Sequence, residues 1–233
     1  ELPACPASAV RAGPTLCVDR TEVTVAAYSK CVAAGACTLA GTASTGNGAK
    51  DEVIAKLGPL CNGNRVDRQN HPINCVDWAQ ANAYCTWANG RLPNEAEWEL
   101  AVRGGTWRTY PWGHEPPSVE RVNACGPECA AMFLRTLGSK VTPMYATTDS
   151  FEATGPVGSF PAGASPTGAL DMAGNVGEWL DDWYKVDEWR VVRGGGWDLT
   201  SPEEIAIARR DAAPPGVKSV IVGFRCADGF AAR

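Results

Sequence analysis

Most of the residues able to do chemistry in this chain carry sulfur. Cysteines stand at Cys5, Cys17, Cys31, Cys37, Cys61, Cys75, Cys85, Cys125, Cys129 and Cys226, an even number. Several sit close together in loop-like sequence: "CVAAGAC", "CGPEC", and Cys61 with Cys75 bracketing "NGNRVDRQNHPIN". Thiols at such spacings either hold a soft metal or oxidise to disulfides. Structural zinc wants Cys-x-x-Cys knuckles or nearby imidazoles, and the chain has no Cys-x-x-Cys and two histidines, His71 and His114. Disulfides are therefore expected, and with them an oxidising compartment: secreted, periplasmic or cell-surface. Other reactive constellations are scarce. No Ser-His-Asp order and no His-Glu-x-x-His can be drawn. His71 before Pro72 and His114 in "WGHEPP" read as structural or solvated, and Asp181–Asp182 in "LDDWY" as a solvated pair beside a tryptophan. One stretch stands out by omission. "RGGGWDLTSPEEIAIARRDAAPP", from Arg193, lies inside the cysteine-free run between Cys129 and Cys226, yet it carries a glycine turn, Trp197 and the pair Arg209–Arg210.

The elements that position these residues are legible in outline. Thr24 caps "VAAYSKCVAA", with Gly35 as its stop; Asp77 caps "WAQANAYCTWA"; Asn94 with Glu97 forms a capping box opening "EAEWELAVR", closed by Gly104–Gly105. Beyond Gly105 the pattern becomes short candidate strands ("GPVGSF", "RVVRGG", "EIAIARR", "SVIVGFRC") among Gly, Pro, Asn and Asp turns. Without a repeat or a linker, the 233 residues read as one α+β domain over 1–233 with an irregular second half that needs covalent staples. The net charge of −5 argues against a nucleic-acid partner, and no run of about 18 apolar residues exists to span a membrane. The opening "ELPACP" has no initiator Met, basic segment or apolar signal core, and is read as a mature or trimmed ectodomain whose export signal is gone. Of the nine tryptophans, Trp78, Trp87, Trp98, Trp179 and Trp183 are assigned to the core. Trp197 follows three glycines on a turn, where burial and exposure are both open.

Seven motifs then occur in order: "DRTEVTVAAY", "HPINCVDWAQANAYCTWANGRLPNEAEWELAVRGG", "YPWG", "LDMAGNVGEWLDDWY", "RVVRGGGW", "ARRD" and "GFRC". Together, from about Val10 to Asp228, they strongly resemble the formylglycine-generating enzyme (sulfatase-modifying factor) family. The resemblance implies a C-type-lectin-like fold: one domain with little regular structure, helices flanking small sheets, and the chain ends close together. It also implies a bridge from Cys85 in "AYCTWA" to Cys226 in "GFRC". The other eight cysteines pair most simply as neighbours, Cys5–Cys17, Cys31–Cys37, Cys61–Cys75 and Cys125–Cys129, although the sequence does not fix their connectivity.

Catalytic members of that family carry two cysteines after an "RGGS" turn, spaced Cys-x-x-x-x-Cys, which bind copper(I) and oxidise a substrate cysteine to formylglycine. Here Leu199, Thr200, Ser201 and Glu204 lie where those cysteines belong, and Gly196 replaces the serine. None of these side chains is a soft ligand, so no copper is expected and no formylglycine generation. Two histidines and one domain also exclude the related iron-dependent sulfoxide synthases. The reading that follows is a non-catalytic recognition module for a protein, peptide or glycan, with a surface around 196–220 built from Trp197, Asp198, Thr200, Glu203, Arg210, Val217 and Lys218. Its alternative is a tailoring or maturation enzyme with a non-copper site, as in members resembling pyoverdine-maturation proteins. The window lacks the many Asn or Tyr of retroelement-diversified proteins, which disfavours that variant of the binder.

The resemblance further implies structural calcium. One site would draw on Asn123, the Ala124 carbonyl, Asp149 and the Phe151 carbonyl. A second would use the side chains of Asp171 and Glu178 with the carbonyls of Gly174 and Val176. Hard oxygen donors of this kind suit Ca²⁺ rather than transition metals. Gly177 stands where the family usually has Trp, removing a large side chain beside the loop.

Overall fold

Helices begin where a side chain accepts the first free N–H groups. In the computed structural model, which describes residues 4–44 and 51–229, Thr24 Oγ1 accepts from the Ala27 N–H at 3.1 Å and opens α1 (Val25–Ala33). After α2 (Asp51–Leu57), α3 (Trp78–Trp87) starts on a capping box in which Asp77 and Gln80 satisfy each other's backbone N–H. Asn94 and Glu97 do the same for α4 (Glu95–Arg103), which ends on Gly104 in the left-handed conformation. A fifth helix, α5 (Pro127–Leu137), follows Gly126 with Pro127 at its first position.

Two small sheets complete the fold. β1 (Ala9–Arg11), β2 (Leu16–Asp19) and β7 (Ala227–Gly229) form one in the order β1-β2-β7, which places the two ends of the described chain side by side. The other runs β5-β4-β3-β6, from β3 (Gly177–Lys185), β4 (Trp189–Arg193), β5 (Asp211–Ala213) and β6 (Val222–Gly223). β3 pairs antiparallel with β4 and parallel with β6, where Glu178 lies opposite Gly223. Between the sheets and helices, Tyr28, Tyr84 and Phe224 pack ring on ring. Trp179 is fully buried there, its indole N–H donating to the Val76 carbonyl at 3.0 Å. All ten cysteines are joined, as Cys5–Cys17, Cys31–Cys37, Cys61–Cys75, Cys85–Cys226 and Cys125–Cys129. Cys85–Cys226 spans 141 residues, a loop long enough for chain-entropy arguments to assign it about 5 kcal/mol. This is the α+β, C-type-lectin-like architecture expected, with few helices, short curled sheets and several staples. Among the described residues no helix is long and apolar enough to cross a membrane.

Several local expectations fail for identifiable reasons. α5 occupies a stretch read as turns and strands. "GPVGSF" is a series of turns, and so is "EIAIARR", where Ile205 and Ile207 are buried; the Glu204 and Arg209 N–H groups donate locally, to Ser201 and Ala206, and the single Ile207 N–H bond to the Thr109 carbonyl makes no strand. Conversely β3 is a nine-residue strand through residues expected to be loop. Trp87 is not core: it is 39% exposed and rests on Tyr84. Trp78 and Trp183 are half-buried and sandwich the Arg190 guanidinium, each ring centre 3.7 Å away.

Candidate functional site

The glycine turn leads out of β4 and is held by backbone. Gly194 and Gly195 adopt φ of +90° and +73°, a conformation L side chains rarely take. The Gly194 carbonyl accepts from the Gly174 N–H at 3.0 Å, and the Trp197 N–H donates to the Asn175 carbonyl at 3.0 Å. The turn is thus laced to the 171–178 loop. Beyond it the chain folds over a cavity of about 230 Å³ whose walls include Gly177, Val192, Gly195, Gly196, Leu199 and Ile221. Glu204, Arg209, Asp211 and Ser219 supply its polar groups. Arg209 is paired with Asp211 at 2.7 Å, and Glu204 Oε2 accepts from the Ser201 N–H at 3.2 Å. Leu199 and Glu204 are two of the four residues standing where thiols were expected from the resemblance. Gly177 lies in the wall, where a Cβ would already meet Val192 Cγ1 at 2.9 Å. The cavity therefore exists partly because residue 177 has no side chain.

The seven residues expected to form one ligand surface are not brought together. Trp197 is 1% exposed, stacked on Phe133 with ring centres 5.8 Å apart, and its Nε1–H donates to the Val220 carbonyl at 3.2 Å. It is a core residue, not an exposed anchor. The three glycines allow the chain to turn inward, and the partner ring on α5 was invisible from local sequence. Arg210 lies on another face, its Nε held by both Glu95 oxygens at 2.8 and 2.9 Å and its guanidinium over Tyr184. Val217 is buried in the glycine-turn cavity wall, Glu203 is exposed, and neither Glu203 nor Thr200 lines that cavity. Trp197, Asp198, Val217 and Lys218 instead share a neighbouring cavity.

The residues of the expected calcium sites differ in their fit. Around the second, Glu178 is 1% and Arg225 0% exposed, and the guanidinium holds both carboxylate oxygens at 2.6–2.9 Å. Trp98 Nε1–H donates to the same carboxylate at 2.9 Å. Asp171 Oδ2 accepts from the Gly158 N–H at 2.6 Å, and Glu22 Oε1 from Asn175 Nδ2 at 3.0 Å. Burial, with the Asp171 charge behind it, pushes the Glu22 carboxyl well up, and burial raises Asp171 also. Asp19, whose Oδ2 accepts from the Cys226 N–H, is raised by burial to about 6. Arg225 thus already neutralises Glu178, and Glu22 Oε2 is left buried without a partner. The first set fits better. Asn123 Oδ1 and Glu128 Oε2 are buried without partners, and a Glu128 charge helps raise the Asp149 carboxyl after burial. The Tyr145 hydroxyl faces three acceptors, Val122 O, Ala124 O and Asp149 Oδ2, at 3.1, 3.1 and 2.6 Å. One proton cannot serve all three, so this oxygen-rich spot has capacity for a hard cation.

Sequence reasoning missed Glu22 and Arg225. The visible signal was a charge beside apolar neighbours, Val23 in "TEV" and Phe224 in "GFRC". The two histidines meet hydroxyls: His71 lies 3.0 Å from Thr154 Oγ1, with burial, then the Arg68 charge, lowering it to about 4, and His114 Nδ1 lies 3.0 Å from Thr109 Oγ1.

Comparison with known proteins agrees with this geometry. Residues 3–229 match the sulfatase-modifying factor enzyme 1-like domain. The chain is 34% identical over 188 residues to a formylglycine-generating enzyme of Thermomonospora curvata, covering 70% of this chain and 57% of the relative. It is 33% identical over 172 residues to an inactive C-alpha-formylglycine-generating enzyme 2 of Bos taurus, covering 70% and 52%. It therefore spans little more than half the length of either. Among solved structures, PvdO from Pseudomonas aeruginosa superposes with a TM-score of 0.66 at 23% identity, covering 92% of this chain and 80% of that one, a likeness of fold.

Proposed function

The chain belongs to the sulfatase-modifying factor enzyme 1-like family, and from that premise we propose that it is a non-catalytic binding module whose ligand enters the glycine-turn cavity. One observation carries the reading: every cysteine lies in a disulfide, while Leu199 and Glu204 face a cavity at the position of the missing thiols. A disulfide sulfur is no thiolate ligand for copper(I), and neither a leucine nor a carboxylate replaces one. What is left is a stapled scaffold around a mostly apolar hollow with a few polar groups at fixed positions, the composition typical of ligand sites. The ligand is a small molecule or a side chain of a protein, peptide or glycan-bearing partner, met outside the reducing cytosol, which the five disulfides favour. Rigidity lowers the ordering cost of such binding. Calcium is proposed as a structural ion held by Asn123, the Ala124 carbonyl and Asp149, where it would neutralise buried oxygens without touching the ligand.

The test has two arms. Incubation with a Cys-x-Pro-x-Arg peptide, copper and oxygen is expected to give no aldehyde by mass spectrometry. An array of glycans, peptides and secreted proteins is expected to yield a partner that Gly177→Trp, filling the cavity, no longer binds. Aldehyde formation, or a partner indifferent to Gly177→Trp, overturns the reading.

A further inference from the structure

A second cavity, of about 160 Å³, lies behind the glycine turn and shares with the first the residues Val217, Ser219 and Ile221. Ile54, Leu57, Phe133, Trp197 and Val220 make it largely apolar, and Asp198 is its acidic group. The Asp198 Oδ1 atom is buried with no hydrogen-bond partner. An unpaired buried polar atom is destabilising, the more so when it is charged. Among the described residues, the charged groups that bear on Asp198 are Glu204 and Asp211, both acidic. Lys218 also lines the cavity, but its ammonium lies 3.5 Å from Asp77 Oδ2, so its charge is already met. Among the described residues, the cavity thus presents one negative group without a cationic partner, set among apolar and aromatic side chains whose rings add their own attraction for cations.

We propose that this cavity is a ligand site in its own right, taking a small apolar cation, a primary ammonium on an aryl or alkyl body, with the ammonium on Asp198. The size follows from the volume, since an apolar cavity of about 150 Å³ holds benzene. A body of about eight non-hydrogen atoms is therefore the scale. The anionic counterpart is rejected by the same carboxylates that attract the cation. The site does not depend on the glycine-turn cavity having a ligand.

Benzylammonium, benzoate and toluene are suitable probes, followed by ligand-observed NMR titration of the intact, disulfide-bonded protein at pH 7.5. Benzylammonium is expected to bind at least about tenfold tighter than benzoate, the effect of one charge-assisted hydrogen bond. Asp198→Asn should remove that preference while leaving toluene binding within about threefold. Ala43→Leu, which narrows the cavity from the opposite wall, should weaken all three, whereas Gly177→Trp should leave benzylammonium binding in place. The last variant separates this site from the one proposed above. Equal binding of benzoate and benzylammonium by the native protein, no binding of either, or an Asp198→Asn protein that keeps the preference overturns the proposal. Should Asp198→Asn fail to fold, the native comparison and Ala43→Leu still decide.

Discussion

Trp197 gives the sharpest test of how the window is built, because an exposed anchor and a core residue predict opposite results. Its indole is 1% exposed, stacks on Phe133 at 5.8 Å and donates to the Val220 carbonyl. Truncating a core tryptophan to alanine costs about 3–5 kcal/mol, of which stacking supplies roughly 0.5–1.5 kcal/mol. Two local features set the value within that range. The void would join the adjoining cavity of about 160 Å³, which admits water and softens the penalty. Against that, the Cys125–Cys129 bridge holds the start of α5 and resists its collapse toward the gap. About 4 kcal/mol is the expected loss for Trp197→Ala, which for a chain of this length lowers Tm by roughly 8–16 °C. The assay is urea unfolding followed by far-ultraviolet circular dichroism with disulfides intact. Trp107→Ala, at a residue 78% exposed, is the control and should change stability by less than about 0.5 kcal/mol. A Trp197→Ala loss below about 1 kcal/mol would refute the core assignment.

Three further outcomes are expected. Glu178→Gln leaves Arg225 buried without its anion and should cost about 3 kcal/mol in calcium-free buffer; an unchanged denaturation midpoint would mean that the pair contributes nothing. Burial raises Asp198 to about 6, so its ionised form opposes folding above that pH, and the penalty fades as pH falls toward the unfolded value near 4. Asp198→Asn should therefore stabilise the protein by roughly 1–2 kcal/mol at pH 7.5 and by nothing near pH 4, and a gain that grows on acidification would contradict the sign. Calcium should raise Tm and a chelator lower it; Asp149→Asn should abolish that response, which puts the ion at the Asn123 site, whereas a response lost only in Glu178→Gln would place it at the other.

How much of this was legible in the sequence depended on how local the physics was. The starts of α1, α3 and α4 were read correctly because a cap is a contract between residues three apart: Thr24 with Ala27, Asp77 with Gln80, Asn94 with Glu97. α5 was missed because its N-cap is Gly126, which has no side chain to announce it, and because "CGPEC" looked like a loop staple. The spacing of Cys129, Met132 and Phe133, closed by Gly138, was the available signal. Glu178 was read as a calcium ligand from its loop alone, and its ion-pair partner Arg225 was missed because it lies 47 residues on. Only the parallel pairing of β3 with β6 brings the two together. Trp197 failed in the same way, since its burial rests on a ring of α5.

The glycine turn shows how backbone and packing alone hold the shape of the window. At Gly194 a Cβ would approach the Met172 carbonyl at 3.3 Å, at Gly195 it would collide with Leu199 Cδ1 at 2.4 Å, and at Gly196 it would press on Ile221 at 2.9 Å. The first two residues also have positive φ. These demands come from backbone and packing, and copper has no part in them. Neighbouring amides extend the constraint: Gly174 N–H to Gly194 O, Trp197 N–H to Asn175 O, and Cys125 N–H to Leu199 O at 2.9 Å. The turn is thereby tied to the 171–178 loop and, through Cys125, to the start of α5. On the proposed reading, Leu199 and Glu204 in place of thiols would cost the window a metal site while breaking none of those bonds. A cavity therefore persists, its floor set by the glycines and its opening by the missing side chain at Gly177. Selection for binding could then act on its walls without rebuilding the fold.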